Sequence, residues 1–404
     1  MSTNRRRGAK ILLLVCLALT AHLYFAADNS NCSDTQAPTY PEASESNNAF
    51  IPFVNAPFPI LTYSPAFDLS ITTEWNKPKY IGRAAMDTGS TGVMIGGGLL
   101  GFSDATKFEK SRPGSEYLSS SGRLWTGYWI DADVTFYLAE RDEQGQRQQV
   151  VSHIPILAVN ESSTCLAYGK LGYCPEEEKQ NVVKWPNSTH YLGVGFGRGS
   201  VQQPQASPDK NPFVNVGKIR GSEVKDIHQG YIITQNGIHV GLTKDLAAQF
   251  RKTKLDVRAG SKAPDWAMAN MATRINGSPY NHGKALFDTG INRSYVTVHQ
   301  DIQSKTKTEP SRLIKNNPKV LVPGSVVEVL VPDEKNPIAN YTVTVTGDPQ
   351  GMEPLGYVMK DPPSPSSTTG LFINTGRMFY DGFDAMLDSE CGWFGLRNRQ
   401  EPMT

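Results

Sequence analysis

Ala84-Ala85-Met86-Asp87-Thr88-Gly89 and Lys284-Ala285-Leu286-Phe287-Asp288-Thr289-Gly290 are one device written twice, an apolar run that ends in Asp-Thr-Gly. A single Asp-Thr-Gly reads as a turn. Two copies, about 200 residues apart in a chain of 404, fit one copy in each of two domain-sized halves. Two carboxylates brought together cannot both ionise cheaply, so they share a proton and their titrations split. The ionised member can take a proton from a water held between them, and the protonated member can donate to a carbonyl oxygen under attack. The glycine after each Asp-Thr allows a tight turn. The threonines are placed to hydrogen-bond across the junction. Such a constellation suits amide hydrolysis in acid and needs no metal and no cofactor.

Outward from these loops the chain reads as β. Short runs rich in Val, Ile, Thr and aromatics recur, among them Val134–Leu138, Tyr231–Thr234, Ser294–Val298, Val326–Val331 and Tyr341–Thr346. Asn236-Gly237 and Asn276-Gly277 are hairpin signals. Helices are confined to short stretches at Lys244–Lys252 and after Val298. The glycines at 193, 195, 197 and 199 lack the Gly-Lys-Ser/Thr ending and following helix of a phosphate loop, and read as a tight turn. No Gly-x-Ser-x-Gly elbow and no Cys-x-x-Cys spacing occurs. Forty basic and thirty-nine acidic residues leave a net charge of +1, which argues against nucleic acid as a partner.

The N-terminus carries Arg5, Arg6, Arg7 and Lys10 before an apolar run from Ile11 to Ala27. This is the layout of a secretory signal peptide, with a signal anchor as the competing reading. A secreted or secretory-pathway chain follows, membrane-anchored if the segment is retained. Residues 28–49 are polar and aperiodic and read as a flexible leader; Pro362–Ser367 reads as an exposed loop. Sequons at Asn31, Asn160, Asn187, Asn276, Asn292 and Asn340 are glycosylation candidates. Removal of Cys16 with the signal leaves four cysteines. Spacing does not fix their connectivity, but the short loop favours Cys165–Cys174, which would leave Cys32 to join Cys391 across the two ends.

These features together resemble the pepsin-like aspartic proteases. Asp87-Thr88-Gly89-Ser90-Thr91 is similar to the first active-site signature of that family and Asp288-Thr289-Gly290 to the second. Tyr191-Leu192-Gly193 resembles the hydrophobic-hydrophobic-Gly element that backs the first loop. The residues from Arg377 to Asp384, with Cys391-Gly392-Trp393-Phe394-Gly395-Leu396, resemble the closing strands. The resemblance runs from about Phe50 to Arg397. It implies an all-β, bilobal pepsin-like fold with a few short helices, divided into an N-terminal lobe at 50–229 and a C-terminal lobe at 230–400. It further implies catalytic Asp87 and Asp288, supported by Thr88, Gly89, Ser90, Thr289 and Gly290. A flap tyrosine or its substitute would come from Tyr117, Trp125 or Tyr128. A monomer with a peptide or protein substrate in the interlobe cleft is implied. Three departures stand out. Ile291 replaces the hydroxyl residue that would bond Asp288. Thr91-Gly92-Val93-Met94-Ile95 replaces the family's Leu-Trp-Val segment. The second hydrophobic-hydrophobic-Gly element reads as Phe372-Ile373-Asn374. The expected function is a secreted aspartic endopeptidase; the alternative is a weak or inactive relative that binds peptides or polymers in the same cleft.

Overall fold

The computed structural model describes residues 32–200, 203, 205–261, 264–362 and 370–400. The signal or anchor segment, Cys16, the Asn31 sequon and most of the Pro362–Ser367 stretch lie outside these residues. Nearly all regular structure is β, and the three α-helices among the described residues are at most five residues long.

Three sheets carry the architecture. In the N-terminal half, strand Arg147–Thr164 is followed in hydrogen-bonded order by Thr91–Gly96, His190–Val194, Asn76–Asp87, Ala66–Thr73 and Arg123–Arg141. The last strand pairs back onto Arg147–Thr164, so these six close into a ring. Closure removes exposed edges. Alternate residues of these strands fill the interior: Phe67, Leu69, Ile71, Val134, Phe136, Leu138, Ile154 and Ile156 are all buried. In the C-terminal half a nine-stranded sheet runs from Thr308–Pro310 to Ala339–Thr344 and includes Ala269–Ile275, Asn281–Leu286, Ser294–Val296 and Phe372–Asn374. A third sheet of six strands is assembled from chain segments far apart in sequence, Ala49–Pro52, Gly230–Ile233, Gly237–Val240, Arg251–Lys254, Phe383–Asp388 and Trp393–Asn398. The fold is all-β and two-lobed, with this third sheet built from strands of both halves.

Both hairpin signals form turns between antiparallel strands. Ile233 faces Ile238 across Asn236-Gly237, and Thr273 faces Asn281 across Asn276-Gly277. Asn276 and Gly277 both adopt positive φ, the conformation that favours an Asn-Gly pair. The leader differs from expectation. Residues 32–48 are tied down rather than flexible: Cys32 is bonded to Cys391, Tyr40 is buried with its hydroxyl on Asp388 at 3.1 Å, and Pro41 accepts from the Lys244 amide. A few anchors hold a segment that has no hydrophobic period to reveal it. The second disulfide is Cys165–Cys174, so both pairings match expectation. Disulfides place the folded chain in an oxidising, extracellular or secretory-pathway setting. Among the described residues no helix is long and apolar enough to cross a membrane.

Phe136 lies at the centre of the ring, 5.5 Å from Phe67 and 5.1 Å from Phe213, ring centre to ring centre. Phe136→Ala is expected to cost about 3–5 kcal/mol in urea unfolding. Tyr63, 64% exposed, should tolerate alanine within about 0.5 kcal/mol.

Candidate active site

The strand Asn76–Asp87 ends on its own aspartate, and the strand Asn281–Leu286 ends two residues before Asp288. The loops meet through their threonines. Thr88 Oγ1 donates to the Phe287 carbonyl at 2.5 Å and accepts from the Thr289 amide at 3.0 Å. Thr289 Oγ1 accepts from the Thr88 amide at 3.1 Å and donates to the Met86 carbonyl at 3.2 Å. Four buried backbone groups are satisfied by two buried hydroxyls, which is why both positions hold a hydroxyl residue. The glycines follow from the closeness that results. A Cβ on Gly89 would lie 2.7 Å from Asp288 Oδ2 and 2.8 Å from Asp87 Oδ1, and one on Gly290 would lie 2.5 Å from the Asp87 carboxyl. Neither glycine has a positive φ. Space for the opposite carboxylate dictates them, rather than the turn freedom expected from sequence.

The two carboxylates are therefore brought together, each against the glycine of the other's loop, and only 7% and 5% exposed. Asp87 Oδ1 accepts from the Gly89 amide at 2.5 Å. Its Oδ2 accepts from Ser90 Oγ at 3.4 Å and from the Tyr191 hydroxyl. Asp288 Oδ1 accepts from the Gly290 amide at 2.7 Å, and its Oδ2 from Asn374 Nδ2 at 2.6 Å. Burial, then the charge of Asp87, pushes the Asp288 carboxyl well above the usual carboxylate range, against the pull of Asn374 and the Gly290 amide.

The second loop brings one addition and one correction. Ile291 does leave the second loop without a hydroxyl, but Asp288 is not left without a donor, because Asn374 supplies one. The second backing element is not Phe372-Ile373-Asn374. Tyr191 pairs with Ala85, two residues before its aspartate, and Asn374 pairs with Leu286, also two before. The counterpart of Tyr191-Leu192-Gly193 is thus Asn374-Thr375-Gly376. A search for two apolar residues before the glycine misses it, since this strand places polar side chains there.

The hairpin Arg112–Leu118 with Arg123–Arg141 supplies the candidate flap, its tip at 119–122. Of the three flap candidates, Trp125 alone joins the residues that touch the dyad, its ring 5.1 Å from Tyr191. Tyr117 packs on Tyr168 beside Cys165, and Tyr128 stacks on Phe108. Strand alternation explains Tyr117. Trp125 lies opposite Glu116, and Tyr117 opposite Leu124 points to the other face. Sequence reasoning missed Glu116, which is 3% exposed and has an oxygen without a hydrogen-bond partner. Burial, then the nearby Asp87, raises its carboxyl well above the usual range, and Arg198 partly offsets this. Arg198 was also missed; its Nε donates to the Gly89 carbonyl at 2.6 Å, so it braces the first loop from behind. A lone acid in an alternating strand and an arginine in a glycine-rich turn carry no signal for such roles. His228, Asp388 and Cys391 also cluster, but Cys391 is disulfide-bonded and Asp388 already accepts from His228 and Tyr40, so they make no vacant metal site.

No family model and no curated protein matches the sequence. Among solved structures the chain is similar to the aspartic proteinase from Irpex lacteus, at 11% identity over 87% of this chain and 98% of that one, with a TM-score of 0.48. The two-lobed β architecture stands on the sheets described above.

Glu116 sets a stability test. Its folded carboxyl holds a proton to higher pH than the unfolded one, so the folded state binds more protons. Stability is then full below the ordinary value of 4.5 and falls as pH rises toward the folded midpoint, by up to about 1.4 kcal/mol per pH unit. Glu116→Gln removes this term. Urea unfolding from pH 4 to 7 should show the variant losing less stability than the wild type; parallel curves would count against a buried, proton-holding Glu116.

Proposed function

We propose that the protein is an aspartic-type endopeptidase that hydrolyses peptide bonds in acid, through a water activated between Asp87 and Asp288. One observation carries the reading: two buried carboxyls, presented by matching Asp-Thr-Gly loops that are locked together by their threonines, lie against each other. Asp87, which accepts three donors, takes the proton of the attacking water. Asp288 gives its proton to the substrate carbonyl oxygen, and a gem-diol forms with no covalent link to the protein. Collapse of the gem-diol breaks the C–N bond. The leaving nitrogen receives the proton held on Asp87, and a gem-diol hydroxyl returns one to Asp288. The substrate is an extended peptide lying in the cleft between the lobes, beneath the hairpin that carries Trp125.

The N-terminal signal and the disulfides support a secreted enzyme, with an anchored form if the signal is retained. Glycans are expected on Asn187, Asn276 and Asn340, whose side chains are exposed. Asn292 donates its amide to the Leu61 carbonyl and should be unmodified. Peptide mapping after deglycosylation in heavy-oxygen water reads each site.

The test of activity is cleavage of a denatured protein from pH 2 to 7, with and without a statine-type inhibitor. Asp87→Asn and Asp288→Asn should each lower the rate at least about 10²–10⁴-fold while unfolding at a temperature close to that of the wild type. Cleavage that survives in either variant would show that the pair is not the catalyst. A wild type inert across the whole range would leave a peptide-binding protein.

A further inference from the structure

Tyr191 and Asn374 occupy the same place in the two lobes by two independent registers. Each lies in a short strand paired in parallel with the strand that leads into its Asp-Thr-Gly loop: Tyr191 with Ala85, Asn374 with Leu286, both two residues before the aspartate. Each short strand also pairs antiparallel with the strand that leaves the loop: Tyr191 with Met94, Asn374 with Tyr295, both seven residues after the aspartate. The glycines two residues on obey the same correspondence. A Cβ on Gly193 would crowd the carbonyl of Gly92, and one on Gly376 that of Arg293, each five residues after an aspartate.

At this shared position both lobes place a hydrogen-bond donor, and each donor ends on Oδ2 of its own lobe's aspartate, the oxygen not held by the loop glycine. Burial, then the charge of Asp87, pushes ionisation of the Tyr191 phenol well above its usual range, so it is a neutral donor. The Asn374 amide is oriented without ambiguity. Its Oδ1 accepts from the Gly376 amide at 2.9 Å, which leaves Nδ2 to face Asp288. Since Ile291 offers no hydroxyl, Asn374 does for Asp288 part of what Ser90 and Tyr191 do together for Asp87.

We propose that Tyr191 and Asn374 are a matched pair of positioning residues, each donating to Oδ2 of the aspartate in its own lobe, and that the larger donor set on Asp87, three against two, presents it as the base and Asp288 as the acid. This deepens the proteolytic reading and rests on it. The other titratable and charged groups that face the pair are Glu116 from the hairpin, Arg198 after the backing strand, and Tyr295, Arg377 and Tyr380 in the C-terminal half. They are unchanged in the variants below, so differences in titration report the two donors.

The test uses full-length protein with ¹³C-labelled Asp carboxyls, whose NMR titration reads the pair without turnover, alongside pH–rate curves on a denatured protein substrate. Tyr191→Phe should raise the lower midpoint of the pair by about one pH unit, the scale of one hydrogen bond to a charged group. Asn374→Ala should raise the upper midpoint, and adding Ile291→Thr should bring it back, because residue 291 corresponds to Ser90. If Asn374→Ala does not fold, Asn374→Leu fills the same space without a donor. The rate should fall through kcat with KM little changed. Folded variants whose midpoints do not move overturn the proposal, even if the wild type cleaves peptide. Midpoints that move in the variants while the wild type shows no cleavage uphold the positioning and overturn the proteolytic reading alone.

Discussion

The exchange of hydrogen bonds between Thr88 and Thr289 fixes how far apart the two loops can be. Each hydroxyl reaches across the junction for a carbonyl and receives an amide in return, in a place where water does not compensate a missing partner. The backbones are then so close that only glycine fits after each threonine, and the carboxylates ahead of them are forced into contact. The raised Asp288 carboxyl follows from that burial and closeness. The closed ring of strands on one side and the nine-stranded sheet on the other serve as rigid mounts for two short loops.

The surroundings of the pair are more charged than a protein interior usually is. Glu116, Arg198 and Arg377 all lie within electrostatic reach of the dyad. Burial opposes ionisation of Glu116 and Asp288, and for Glu116 the guanidinium of Arg198 offsets part of this. Acid conditions therefore favour the folded state through both groups. Arg198 links them mechanically as well, since its Nε holds the carbonyl of the glycine that carries an Asp87 donor.

The parts of this arrangement that recur as short local patterns were readable in the sequence. Asp-Thr-Gly at the end of an apolar run, Asn-Gly between β runs and a close cysteine pair each encode their own geometry within a few residues. What was not readable depends on register between distant strands. Asn374 is 86 residues from Asp288 and reaches it only because Leu286 and Asn374 are paired in parallel. Glu116 looks like a solvent-facing residue of an alternating strand until the hairpin folds over the first loop. Tyr40 sits in a polar stretch with no period, yet reaches Asp388 through a gap of 348 residues. The Ile291 departure was visible, but its compensation was not, because it lies on another strand.

The two lobes share a frame and differ in what they hang on it. Equal strand registers place Tyr191 and Asn374 alike, and equal loops place Asp87 and Asp288 alike. A strictly equal pair would leave the shared proton without a preferred owner. Here the first aspartate has a glycine amide, a serine and a phenol on it, and the second a glycine amide and a side-chain amide. More donors favour the carboxylate that accepts them. The serine lost at residue 291 and the amide gained at residue 374 thus keep the second carboxyl oriented while leaving it the more weakly held of the two. A duplicated fold supplies the distance, and the few residues in which its halves differ set how many donors each carboxyl accepts.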